Sequence, residues 1–189
     1  MKNKSPIRTI IIVVLITTGI VLIIKDFRIF HFHTICPGTL YTSGQPRGMD
    51  YTRLLYKYHI RTIINLRGSA ENMEHNWYNE EINWVRNNTV VYIEMPLKRS
   101  TVEHAYFPDA NMQQHFLAIM ADRKNLPVLV HDGRGKWRVA ALAAVWLANE
   151  GQSSAEQVLK TAEKIKTEPL VAEEIEFIRG LFPPDPNVK

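Results

Sequence analysis

From Ile10 to Ile24 the chain reads IIIVVLITTGIVLII, a run without a charged side chain that stops at Lys25. Such a run predicts a helix. At 1.5 Å per residue it is short for a hydrocarbon core of about 30 Å, but Ile7, Thr9 and the aliphatic stems of Arg8 and Lys25 lengthen it. After Ile24 the chain continues KDFRIFHFHTICPG, with no pair of small residues of the kind that signal cleavage requires. The run is therefore expected to be an uncleaved transmembrane anchor within residues 1–28, preferred over a cleaved signal peptide or a buried core helix. Lys2, Lys4 and Arg8 precede it and Lys25 and Arg28 follow it, which by the positive-inside rule leaves the N-terminus cytoplasmic and the rest extracytoplasmic (periplasmic). Residues 29–37 read as a juxtamembrane segment. In it, His31 and His33 are spaced like a metal pair, but interfacial packing of the aromatic run is the preferred reading.

Beyond this segment the pattern alternates short apolar runs with amphipathic ones. Strands are expected at Thr39–Thr42, Arg61–Leu66, Val90–Met95 and Pro127–His131, each β-branched or bounded by turn residues. Between them, helices are expected over Tyr51–His59 with Asp50 as cap, within Glu71–Asn88 with Trp77, Trp84 and Val85 facing inward, and over Asp109–Lys124 with Pro108 at the first position. Arg138–Asn149 (RVAALAAVWLAN) is apolar nearly all round, as a buried helix is. Ser153-x-x-Glu156 reads as a capping box for a helix to about Lys166, and Glu168-Pro169 separates it from a last helix ending near Gly180. Strands alternating with helices predict an α/β fold: a mostly parallel sheet flanked by helices, in one domain over residues 38–181, with a tail at 182–189.

Composition narrows this picture. Of 23 basic and 19 acidic residues, residues 1–28 hold five and one, which leaves 18 of each in the body. The net charge of +4 thus belongs to the N-terminus, and a neutral body gives no basis for nucleic-acid binding. One cysteine, Cys36, excludes a disulfide framework or a cysteine-rich zinc site.

The candidate chemistry sits between the most apolar strand and the most apolar helix. His131-Asp132-Gly133-Arg134-Gly135-Lys136-Trp137-Arg138 joins them through two glycines and several cations, a turn whose amides and helix N-terminus can form an anion seat. Arg138 can fork onto two oxygens of one phosphate. A Walker A loop is excluded, because Val130 stands where its first glycine is needed and Trp137 where its Ser or Thr is needed.

His131-x-x-x-Gly135-x-x-Arg138 after PVLV resembles the phosphate loop of the cysteine-dependent protein-tyrosine and dual-specificity phosphatases. The Arg134-Gly135-Lys136 core is similar to the atypical plant, fungal and bacterial subgroup, some of whose members act on inositol pyrophosphates. Leu40-Tyr41-Thr42-Ser43-Gly44-Gln45-Pro46 and Arg61-Thr62-Ile63-Ile64-Asn65-Leu66-Arg67 resemble that subgroup's opening and second strands, in order. The resemblance implies the dual-specificity phosphatase-like fold, phosphate binding by Gly133, Arg134, Gly135, Lys136, Trp137 and Arg138, no cofactor and no metal. It implies a phosphorylated protein or a polyphosphorylated small molecule as partner.

The same resemblance places the nucleophilic cysteine at Asp132 and the hydroxyl residue after the arginine at Val139. The general acid falls within LKRSTVEH (Leu97–His104), where Glu103 and His104 are the candidates. A carboxylate among loop amides and beside Arg138 is favoured in its ionised form and repels phosphate. The expectation is a membrane-anchored, catalytically impaired pseudophosphatase. Two alternatives stay open: an active phosphatase, acting through an acyl phosphate on Asp132 or through a cysteine restored at 132, and an interaction scaffold.

Overall fold

A computed structural model of the chain describes residues 6–26, 29–68, 71–72, 76–98 and 106–183, with side chains of the first helix described for residues 7–19. Helix α1 spans Pro6–Asp26. Every residue from Ile10 to Ile16 is at least half exposed, so no face of that stretch is covered by the domain. Among the described residues no helix is long and apolar enough to cross a membrane; the far end of the expected span lies outside the described side chains.

Among the described residues, five strands form one sheet: β1 (His33–Cys36), β2 (Leu40–Ser43), β3 (Thr62–Asn65), β4 (Val91–Glu94) and β5 (Val128–His131), in the order β1-β2-β5-β3-β4. The pairings β2–β5, β5–β3 and β3–β4 are parallel, and β1–β2 is antiparallel. β1 lies within residues 29–37, the segment expected next to the membrane, and joins that segment to the sheet. Its residues alternate poorly, and it is held as an edge strand by backbone bonds to β2.

The domain's described helices include α2 (Met49–Tyr56), α3 (Asn76–Asn87), α4 (Ala110–Ala121), α5 (Trp137–Asn149), α6 (Ala155–Lys166) and α7 (Ala172–Gly180). Strand residues alternate between two cores with the period of two that a doubly covered sheet requires. Leu40, Ile64, Val128 and Val130 face α4–α7, whereas Tyr41, Ile63 and Leu129 face α2 and α3. α5 buries almost its whole circumference, and its alanines let neighbouring helices approach.

Local chemistry shifts several boundaries. Asp109 caps α4: its carboxylate accepts from Met112 N at 2.8 Å, which leaves Pro108 outside the helix and not at its first position. The capping box of α6 is Ser154 with Gln157, one residue beyond the expected pair. Asp50 does not cap α2 but lies in its first turn and pairs with Arg53 at 2.9 Å. Trp146 is core, but Trp84 is half-buried against Tyr51 and Trp77 lies over the Arg67 guanidinium at 3.5 Å.

Candidate active site

Because β5 lies between β2 and β3, the turn leaving it opens at the sheet's centre, beyond the carboxyl ends of three parallel strands. That is where open α/β sheets form their crevices. The ends of β2 and β3 flank the turn: Gln45 N donates to Gly133 O at 3.4 Å, and Leu66 N to His131 O at 2.9 Å. Gly135 has φ +70°, and a Cβ there would lie 2.2 Å from Gly44 N. Only glycine meets both demands. Gly135→Ala is expected to cost about 1–3 kcal/mol, as overpacking does, and to raise proteolytic cleavage within 132–137; an unchanged melting curve and digest would show that Gly44 yields.

Asp132 is 3% exposed and turns back on its own loop. Its Oδ1 accepts from Arg134 N at 2.8 Å and from Gly135 N, and its Oδ2 lies 4.0 Å from Arg138 Nε. One carboxylate thus takes up two loop amides and faces the loop's arginine. These are the interactions a bound oxyanion would use.

Arg138 does not hold its fork open. Its terminal nitrogens donate to both carboxylate oxygens of Glu71 at 2.7 and 2.6 Å, and one also donates to Leu66 O at 3.2 Å. The Tyr106 ring lies 4.9 Å from the guanidinium. Burial disfavours the charged Arg138, but the Glu71 hydrogen bonds and the Asp132 charge outweigh it and hold its pKa above the usual value. The same bonds, against some desolvation, hold Glu71 below its ordinary 4.5. With the folded pKa depressed, the fork's contribution is complete above that ordinary value and is lost as pH falls through the depressed one. The Arg138 side-chain NMR signal is expected to shift only below pH 4.5 and to be pH-insensitive in Glu71→Gln; a shift centred above that value would contradict the fork.

Beneath the loop lies a buried polar network. Glu81, on the inward face of α3, is 0% exposed, as is His131, whose Nε2 is 3.1 Å from Glu81 Oε1. Tyr92 Oη donates to Glu81 Oε2 at 3.2 Å, and the Arg67 guanidinium is 4.0 Å from the same oxygen. Arg67 also donates to Gln45 Oε1 and to Asn65 Oδ1, while Asn65 Nδ2 donates to Tyr92 Oη at 2.7 Å. Burial lowers the Arg67 pKa against the pull of Glu81, and burial followed by the Glu81 charge raises that of Tyr92. The network ties β3, β4 and α3 to the base of the loop.

The structure therefore gathers His131, Asp132, Gly133, Arg134, Gly135, Lys136, Trp137 and Arg138 in one turn. Lys136 pairs with Glu168 at 2.8 Å, the exposed Arg134 lies 5.3 Å from the half-buried Trp137 ring, and Val139 is fully buried beneath the loop. Glu103 and His104 lie outside the described residues, as does Arg99. Cys36 is on β1, away from the turn. Among the described residues no group of three histidine, cysteine or acidic side chains could hold a metal. Glu71 and Glu81 were missed in the sequence. Glu81 carried one signal, its position four residues before Val85 on the apolar stripe of α3.

The chain is similar to several known proteins. Residues 38–180 match the family described as DSP-PTPase phosphatase fused to NAD+ kinase. The tyrosine-protein phosphatase-like protein OCA2 of Saccharomyces cerevisiae is 24% identical over 110 residues, 57% of this chain and 50% of OCA2, so the chain spans about half the length of that relative. The catalytic core of the PP-IP phosphatase SIW14 from S. cerevisiae superposes with a TM-score of 0.66 at 18% identity, over 80% of this chain and 85% of that one. TpbA of P. aeruginosa gives 0.59 at 17%, over 80% and 84%. These likenesses show a shared fold, and the family match over residues 38–180 says the rest: the chain belongs to the DSP-PTPase phosphatase family.

Proposed function

We propose that this protein is a membrane-anchored pseudophosphatase, whose phosphate loop is filled by its own Asp132 and does not turn over phosphate esters. The observation that carries the reading is the Asp132 carboxylate accepting from the amides of both Arg134 and Gly135 while facing Arg138. A carboxylate lacks the sulfur nucleophile that the family resemblance puts at this position, and it sets a negative charge where phosphate would bring another. The loop's ligand class, if the seat is emptied, is a phosphorylated protein or a polyphosphorylated small molecule. Support for the anchor is the uncharged run Ile10–Ile24 and the exposure of every side chain from Ile10 to Ile16. The excess of Lys2, Lys4 and Arg8 before the run supports a domain outside the cytoplasm.

The test is an aryl phosphate assay on the full chain and two variants. Wild type is expected to release no phosphate, and Asp132→Cys to release it slowly, since Val139 supplies no hydroxyl to assist the leaving thiolate. Release by wild type that disappears in Asp132→Ala would instead make Asp132 a nucleophile and end the pseudophosphatase reading.

A further inference from the structure

β1 decides which end of the domain the first helix reaches. Since β1 is antiparallel to β2, His33 pairs with Thr42, which in turn pairs with Val130 on β5. The chain therefore enters the sheet at the end where the phosphate loop leaves it. Had β1 been parallel, α1 would lead to the opposite end.

Side-chain contacts carry the same entry point further. Gly44 N donates to Phe30 O at 2.8 Å, and the Phe30 ring covers Gly44, where an added Cβ would lie 3.2 Å from the Arg134 carbonyl carbon. His31 is lowered in pKa by burial and then by Lys136, with Asp132 partly opposing, so both loop charges act on it. Phe30 follows Asp26, the end of α1, by only four positions. Even fully extended, four residues reach about 14 Å. The loop is thus tethered within roughly that distance of the helix end.

The surface at this end has the composition of a membrane interface. Phe30 and Met49 are 53% and 62% exposed. Arg47, Lys98 and Arg134 are exposed cations. Of the carboxylates nearby, Glu71, Glu168 and Asp50 are held by Arg138, Lys136 and Arg53, and Glu80 accepts from Gly48 N. Three exposed cations therefore stand at the end of the sheet where the tether is shortest, beside the exposed carboxylates of Glu80 and Glu94. A tether of this reach is comparable to the screening length of about 8–10 Å, within which surface cations feel anionic headgroups.

We propose that the loop end of the domain lies against the headgroup layer of an anionic bilayer, with Phe30 and Met49 at the interface and Arg47, Lys98 and Arg134 over lipid phosphates. This rests on α1 being a membrane anchor. The phosphate loop then faces the lipid surface, and the opposite end of the sheet, with Lys124 before β5, points into the aqueous phase.

The test uses the full chain reconstituted in vesicles of phosphatidylcholine and phosphatidylglycerol, in a Cys36→Ser background. A fluorophore is placed at Met49→Cys or at Lys124→Cys, and a headgroup-attached quencher is included in the lipid. The expected result is strong quenching at position 49 and little at 124. Arg47→Glu with Lys98→Glu should reduce quenching at 49, each cation contributing about fivefold to surface occupancy. Equal quenching at the two positions, or more at 124, in chains that resist alkaline extraction would overturn the orientation and leave the anchor standing. Release of the chain by alkaline extraction would overturn the anchor and the orientation together.

Discussion

Serine in place of Asp132 is expected to raise the affinity of the protein for inorganic phosphate or tungstate by about a thousandfold. The size follows from charge. A carboxylate about 4 Å from a bound anion, at an effective dielectric of about 20, costs roughly 4 kcal/mol per unit charge, which is close to three powers of ten in affinity. The seat around it is otherwise furnished: the amides of Arg134 and Gly135 already point at one carboxylate oxygen, and Arg138 Nε already lies 4.0 Å from the other. Serine removes both the charge and most of the bulk. Asp132→Asn keeps the bulk and an acceptor for the two amides, so the difference between the two variants separates repulsion from crowding. Calorimetric titration in detergent measures all three proteins. Equal, weak affinity throughout would mean that Asp132 is not what closes the seat and that Glu71, by occupying the Arg138 fork, is.

Removing the Glu81 carboxylate should cost more stability than any other single change considered. Glu81 is fully buried, and its oxygens are shared by His131, Tyr92 and the Arg67 guanidinium, itself 3% exposed. Taking away one member of a buried charge pair leaves the other without compensation, at about 3–5 kcal/mol. For a domain of this size that corresponds to a drop of about 10 °C in Tm. Glu81→Gln keeps the shape and loses the charge, so it tests the electrostatic part alone. The double variant Glu81→Gln with Arg67→Met should recover part of the loss, because it removes the stranded cation too. If the double variant instead shows the sum of the two single losses, the pair is not coupled and Arg67 is held by Gln45 and Asn65.

The loop could be read in the chain because its parts are contiguous. His131 to Arg138 occupy one turn, and the local rules for an amide cage need only neighbouring residues. The same holds for the buried runs TIIN and VLVH and for α5, whose apolar pattern reflects burial on all sides. What was not legible came from distant parts of the chain. Glu71 meets Arg138 across 67 positions, and Glu81 meets His131 only once α3 packs on the sheet. In the sequence both are ordinary acids in a polar segment. β1 escaped for a related reason: four residues with one aromatic-rich approach carry no strand periodicity of their own, and only the backbone of β2 makes them a strand.

Thus the alternation of the central strands with helices and the loop from His131 to Arg138 are written in the residues themselves, since hydrophobic periodicity and loop chemistry act over a few positions. Tertiary structure alone decided which carboxylate holds Arg138, what lies buried beneath the loop, and that the first helix leads to the loop's end of the sheet. Each of those depends on strand order and packing, which bring together groups whose separation along the chain carries no record of their meeting.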